Sequence, residues 1–564
     1  MKKIRWQLLI IFIAGLVVGI LLLTEQPGAS VNSPEPAKGG VYTEALIGSL
    51  QRLNPLLDSG NPVDKDVDRL IFSSLLRFDS RGLAVGEIAE SWGQSDDGTI
   101  VNVTLRNGAV WHDGEAVTAD DVAFTIDLIR NGGDFIAPDL QSFWQDVEVK
   151  VLSDTAIQFK LPEAFAPFLD YLTFGILPKH KLDGMTIAEI ADSDFNMAPI
   201  GSGPYKFDRL IVEDKQITGV VLLANDKYFG DGPYINSIVF RYYPDSESAW
   251  TAAQDGLVQG ISNVSDSILP GVLANPNLSV YTTRKPEISM VIFNLNNAKT
   301  AFLKDSALRK ALLTGINRQL IIDRILNGQA TIADGPILPG TWAYYEQTPR
   351  IGYDAVQAAA MLKDAGYELA DDEATVLMKD KIEISFTMLY PDDETHRKVA
   401  EEIQREWAEL KVQVNIEAVA YEDLINNRLA THDYEAALVD LNLMNAPDPD
   451  PYPFWDQGQI SEGQNYSQWD NRMASEYLEQ ARLTPDFNTR VKYYNNFQLI
   501  FANELPALPL FTPQYSYAVS TDVQGVQLGP LYNTDDRFMT VTSWYLLSQR
   551  SGQPTALPTT GTGK

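Results

Sequence analysis

EISFTMLYPDDETHRKVAEEIQREWAELKVQVNI, residues 383–416, is the stretch on which the fold turns. Glu383-Ile-Ser-Phe-Thr-Met-Leu389 reads as a strand, Thr395 to Leu410 as a helix, and Val412-Gln-Val-Asn-Ile416 as a second strand. Strand, helix and strand in that order make a βαβ unit, so the second half of the chain is predicted to hold an α/β sheet. Outward from it the pattern continues. Val101-Asn-Val-Thr-Leu105 and Ala156-Ile-Gln-Phe-Lys-Leu161 alternate with period two, as half-buried strands do. Thr118 to Ile129 has an N-cap threonine, early acids and helical apolar spacing. Asp305 to Leu326 and Asp354 to Ala365 read as amphipathic helices, with Gly366 ending the latter. No short-period repeat is visible.

The totals set the frame. A chain of 564 residues is too long for one hydrophobic core, so two or more domains or lobes are expected. Apolar residues at 45% and aromatics at 10% describe a globular protein. Forty-four basic side chains face 75 acidic ones, a net charge of −31. Such a surface repels nucleic acid, whose phosphates need clustered Lys and Arg, and it repels anionic lipid headgroups. It either maintains solubility or attracts cationic ligands. Cysteine is absent, which removes disulfides, thiolate metal sites, cysteine nucleophiles and lipidation at an N-terminal cysteine. Only four histidines occur, none in an HExxH arrangement, so no metal site and no cofactor is expected.

Location is read from the ends. Lys2, Lys3 and Arg5 precede an apolar run from Leu8 to Leu23, followed by Thr24-Glu25-Gln26-Pro27. Basic residues ahead of an apolar stretch hold the N-terminus in the cytoplasm and send the remainder outside. No clean small-x-small cleavage site follows, so residues 1–23 are expected to be an uncleaved anchor rather than a removed signal peptide. Residues 24–39 read as a linker and 549–564 as a tail with nothing to pack. Leu557-Pro-Thr-Thr-Gly561 within that tail fits a sortase pattern but lacks the apolar stretch such substrates need.

Catalytic motifs are missing. There is no GxxxxGK[ST] loop, no GxGxxG after a strand and no GxSxG elbow. The acid-rich Asp448-Pro-Asp450 fails as a calcium loop, since positions six and twelve are Pro453 and Gln459. The most unusual chemistry lies in the proline-rich stretch 444–455, which ends in Phe454 and Trp455. Prolines fix a rigid path, so its acids and aromatics, with Tyr466 and Trp469 beyond, either line a ligand cavity or anchor the loop in a core.

Many ordered motifs resemble one family, the large solute-binding proteins for oligopeptides, dipeptides, nickel and related ligands of ABC importers. The most specific are Ile88-Ala-Glu-Ser-Trp92, Asp97-Gly98, Leu105-Arg-Asn-Gly108, Val110-Trp-His-Asp-Gly114 and Thr118-Ala-Asp-Asp-Val122. Pro199-Ile-Gly-Ser-Gly-Pro-Tyr205, Asn225-Asp-Lys-Tyr-Phe229 and Pro336-Ile-Leu-Pro-Gly-Thr-Trp342 extend the likeness, which covers most of Gly39 to Val541. The resemblance implies an α/β, two-lobed periplasmic-binding-protein clamshell (class II, cluster C type) with an extra subdomain in lobe I. By analogy lobe I spans 40–284 and 513–548, the extra subdomain about 76–197, and lobe II 285–512. The tryptophans and glycines of the signature are expected to shape turns.

The family's peptide binders place an aspartate three residues before a DP pair to hold the α-amine. Aligning on Asp448-Pro449 puts Asn445 there, which loses the charge-assisted part of that bond; Asp448 or Asp450 are the substitutes. The resemblance adds Asp58, Gly60 and Asn61 at the cleft edge, and Trp342 and Tyr344 from lobe II. With Trp455 and Tyr466 these are the candidate ligand contacts. No catalytic residue is assigned. The implied function is capture of a ligand, foremost an oligopeptide, outside the membrane by a monomer. Delivery would be to permease subunits coupled to a cytoplasmic ATPase. Dipeptide, nickel-chelate, opine-like and sugar ligands stay open. An extracellular hydrolase with a carboxylate pair, or a sensory domain, are the rivals from other classes.

Overall fold

The structure, a computed structural model, describes residues 36–444 and 447–547. The apolar run 8–23, Asn445 and the tail 549–564 lie outside the described residues. Among the described residues no helix is long and apolar enough to cross a membrane.

The βαβ unit is present. Ser385–Pro391 and Gln413–Val419 pair in parallel, Ser385 opposite Gln413, around the helix Glu394–Glu409. Asp393 caps that helix by accepting from the His396 amide at 2.9 Å. Its apolar face buries Val399, Ile403 and Trp407, and the Trp407 indole donates to the Leu312 carbonyl at 3.0 Å. Both strands sit at one edge of a large mixed sheet. From that edge Ala436–Asn442, Glu287–Phe293 and the long Ala507–Ser520 follow. Then come Gly260–Ile261, Val41–Ile47, Ser237–Tyr243, Gln216–Ala224 and Tyr205–Glu213.

Ala507–Ser520 belongs to both halves. Its first part pairs with Glu287–Phe293 and its second with Leu278–Arg284, both antiparallel. The chain passes between the halves beside this strand, where the Lys285 amide donates to the Pro513 carbonyl at 2.8 Å. Two large apolar cores lie on either side of the crossing. One gathers residues between Ile288 and Phe511; the other joins residues between Tyr42 and Phe240 to Tyr515–Leu546. The architecture is the two-lobed α/β clamshell that the resemblance implies. A separate antiparallel sheet, ordered Ala89–Gln94, Ile100–Leu105, Ala156–Lys160 and Glu148–Ser153, packs onto the first lobe's core. The period-two segments 101–105 and 156–161 are its two central strands.

The Thr118 helix runs Ala119–Arg130, and its capping box is real: the Thr118 amide and hydroxyl both donate to Asp121 Oδ2, at 2.8 and 3.0 Å. The single helix expected over 305–326 is instead two, Ser306–Thr314 and Arg318–Arg324. Gly315 ends the first where Leu410 packs so closely that a Cβ would lie 2.5 Å from its Cδ1. Asn317 then caps the second, accepting from the Leu320 amide at 3.0 Å.

The WHDG turn is structural. Trp111 is fully buried, and Gly108 and Gly114 adopt φ of +84° and +99°, a region open to glycine. His112 accepts from the Gly201 amide through Nδ1 (3.2 Å), which leaves Nε2 to donate to the Gly203 carbonyl (3.1 Å). Burial pulls its pKa down to about 4, so the ring stays neutral, as this bonding needs. Gly201 and Gly203 in turn lie against the end of helix Pro62–Ile71, where a Cβ would meet the Ile71 and Leu70 carbonyls at 1.9 and 2.4 Å. The signature therefore fixes the placement of an unusually acidic helix.

Candidate functional site

A cavity of about 700 Å³ opens between the two lobes. The first lobe contributes Asp58, Lys65, Asp68, Arg69 and Phe72, and the segment after the small sheet adds Phe165, Asp170, Tyr171 and Phe174. The second lobe contributes Ile337, Leu338, Asp448, Asp450, Phe454 and Arg482; Tyr532 and Asp535 come from the C-terminal return. Among the described residues seven aspartates and three basic side chains line it. Apolar walls with a few convergent polar groups are what a small-ligand site uses.

On the second-lobe wall the acids are matched. Arg490 donates to Asp448 Oδ2 at 2.6 Å, the Tyr494 hydroxyl donates to Oδ1 at 3.2 Å, and all three side chains are buried. Arg482 reaches Asp450 Oδ2 from Nε (2.8 Å) and Nη2 (2.7 Å), with its guanidinium 3.9 Å above the Tyr452 ring. The Asp448 amide donates to Asp170 Oδ2 at 3.0 Å, a bond between the two lobes. Burial, then the charge of Asp448, pushes the Asp170 carboxyl well above the usual range.

The first-lobe wall is different. Helix Pro62–Ile71 carries three buried acids, Asp64, Asp66 and Asp68. Asp64 accepts from the Gln51 and Arg52 amides at 2.9 Å each, and Asp66 pairs with the buried Arg537. Asp68 is 2% exposed and neither of its oxygens has a partner of hydrogen-bond geometry. Asp58, half-buried at the same wall, is pushed up to about 8, chiefly by desolvation; Lys65 opposes this and Asp535 and Asp64 add to it. Asp68 is raised as well, by burial first and then by Asp58 and Asp64, with the Asn54 backbone giving slight relief.

Of the described residues singled out from the sequence, Asp58, Asp448 and Asp450 line the cavity and Gly60, Asn61, Trp342, Tyr344, Trp455 and Tyr466 do not; Asn445 lies outside the described residues. Gly60 is exposed beside the cavity. Asn61 is the N-cap of the acidic helix, accepting from the Val63 amide at 3.1 Å while donating to the Ser49 carbonyl at 2.9 Å. Trp342 sits behind the wall, its ring 5.0 Å from the Arg490 guanidinium and 4.8 Å from Phe487. Tyr344 is half-buried in a turn closed by its amide on the Thr341 carbonyl at 3.2 Å. Trp455 is a core anchor against Phe501, ring centroids 4.8 Å apart, and it is Phe454 that faces the cavity. Tyr466 is also half-buried, and its carbonyl accepts from the Tyr434 hydroxyl. The sequence reading missed Asp68, Asp170, Arg482 and Asp535. One signal was available: acids at 64 and 68 are i,i+4 neighbours, a repelling pair that a helix keeps only with a reason.

A clamshell with a cavity lined from both lobes defines a ligand-binding protein. The chain belongs to the bacterial extracellular solute-binding proteins, family 5, whose middle-region profile matches residues 84–466. It is 27% identical over 517 residues to the oligopeptide-binding protein AppA of Bacillus subtilis, covering 90% of this chain and 93% of that one. It is 26% identical over 544 residues to the dipeptide-binding protein of Escherichia coli, covering 92% and 96%. The solved structure of the Bacillus subtilis protein, in complex with a nonapeptide, superposes with a TM-score of 0.66 at 26% identity, over 91% of this chain and all of that one.

Proposed function

We propose that the chain is the substrate-binding component of an ABC importer that captures short peptides outside the membrane and passes them to the permease. The carrying observation is the cavity walled by both lobes, since a ligand touching both favours their closure and makes the closed form the signal for docking. Peptide is favoured by the oligopeptide- and dipeptide-binding relatives, which the chain matches over nine-tenths of its length. At about 700 Å³ the cavity suits a ligand of a few residues, within the range of about 300–1,000 Å³ common for small-ligand sites. Water between wall and ligand lets varied side chains fit.

In this reading the chain binds without turnover. The lobes are 40–284 with 513–548, and 285–512, a division supported by the crossing beside Pro513. Residues 1–23 hold the protein at the membrane, and a monomer suffices. Native mass spectrometry of the purified full chain, followed by denaturation and identification of what is released, tests the proposal. A set of short peptides is the expected result. A single non-peptide species, or conversion of an added peptide to products, would overturn it.

A further inference from the structure

The two cavity walls differ in how their charges are closed. Asp448 and Asp450 each hold an arginine, whereas Asp68, buried and lining the cavity, has no hydrogen-bond partner of good geometry among the described residues. Around it the bases fall one short. Arg69 stands 3.9 Å from Asp535, Lys65 is the cation that acts on Asp58, and among the described residues no base pairs with Asp68. Asp64 is satisfied by two backbone amides and Asp66 by Arg537. A buried carboxylate without a donor is costly, so it persists where something outside the chain completes it.

We propose that Asp58 and Asp68 form a cation-binding end of the cavity, which takes a protonated amine or a guanidinium group of the bound ligand. A cation entering there restores the missing charge and supplies the donors that Asp68 lacks. It lies on the first lobe, so amine recognition does not depend on a charged side chain at position 445. The groups that face the two carboxylates are Asp64, Lys65 and Arg69 from the same helix, Asp535 from the C-terminal return, and Tyr242, whose buried hydroxyl has no partner. Asp58 is raised to about 8 and is mostly protonated in the empty cavity at pH 7, and burial raises Asp68 as well, so an entering cation favours the ionised forms and expels a proton. Affinity for a cationic ligand should therefore rise from pH 6 to pH 8.5.

This rests on the peptide reading only for its probes. Isothermal titration of the full chain with Ala-Lys-Ala, its N-acetylated form, N-acetyl-Ala-Gln-Ala and the non-peptide spermidine separates the two. The tightest cationic tripeptide should bind at least about tenfold better than N-acetyl-Ala-Gln-Ala, and Asp68→Asn should erase that margin. Proton release, read by comparing buffers of different ionisation heat, should fall in the same variant and fall further when Asp58→Asn is added. Tight binding that survives acetylation assigns the site to the lysine side chain; binding lost on acetylation assigns it to the α-amine. Spermidine binding that depends on Asp68, without any tripeptide binding, would support the cation site and sink the peptide reading. Tripeptides that bind equally well with and without charge, in wild type and variant alike, would sink the cation site and leave the peptide reading standing. No binding of any cationic probe also overturns it. Asp68→Asn keeps the shape of the side chain, so folding should survive; Asp58→Asn at the cavity edge is the second reading.

Discussion

The two walls of one cavity use aspartate in opposite ways. In the second lobe Asp448 and Asp450 are embedded among Arg490, Arg482, Tyr494 and Tyr452, so each charge has a fixed counter-charge and a ring beneath it. In the first lobe Asp68 has no hydrogen-bond partner among the described residues, and burial raises Asp58 to about 8. The comparison teaches that an acid lining a cavity is not by that fact a ligand contact. Where the protein supplies the partner, the acid builds the wall; where it does not, the acid is available.

Removing a partner from the closed wall should have the largest effect. Arg490→Met leaves Asp448 buried without its cation, and denaturant unfolding should show a loss of about 3–5 kcal/mol. A loss below about 1 kcal/mol would mean that water reaches Asp448 and that the walls differ less than their geometry says.

The open wall should respond with the opposite sign. Asp68→Asn replaces an unpartnered buried carboxylate by an amide of the same shape, and the empty protein should gain about 1–3 kcal/mol while losing affinity for cations. Destabilisation in the same assay would place an unseen partner on Asp68.

The pH dependence follows from the same contrast. The folded pKa of Asp58 lies above its unfolded value, so its contribution is fully present below the ordinary carboxylate range and is lost as pH rises through about 8. The empty protein should lose stability between pH 5 and pH 8.5, by less than about 1 kcal/mol per pH unit because Asp58 is partly solvated. Thermal unfolding across that window should show a shallower slope in Asp58→Asn, and an unchanged slope breaks the assignment.

The smallest effect on stability belongs to Phe454. Because it faces the cavity while neighbouring Trp455 anchors the core, Phe454→Ala should shift stability by under about 1 kcal/mol yet weaken ligand binding. The two properties, measured on one preparation, separate wall from core within adjacent residues.

What the sequence determined by itself is the framework. The βαβ unit at 383–416 and the N-cap at Thr118 were legible because each is written in local spacing and residue type, and the glycine turns around Trp111 followed from the family resemblance. Even there a tertiary contact intervened, with Leu410 against Gly315 splitting one expected helix into two. The site was less legible. Asp58, Asp448 and Asp450 line the cavity, while Asn61 caps a helix and Trp342 lies beside Arg490. Whether an aspartate is closed or open depends on partners far along the chain. Arg490 is 42 residues beyond Asp448, and Arg537 lies 471 beyond Asp66. Charge pairing is set by distance in space, and only the folded chain brings those distances into being.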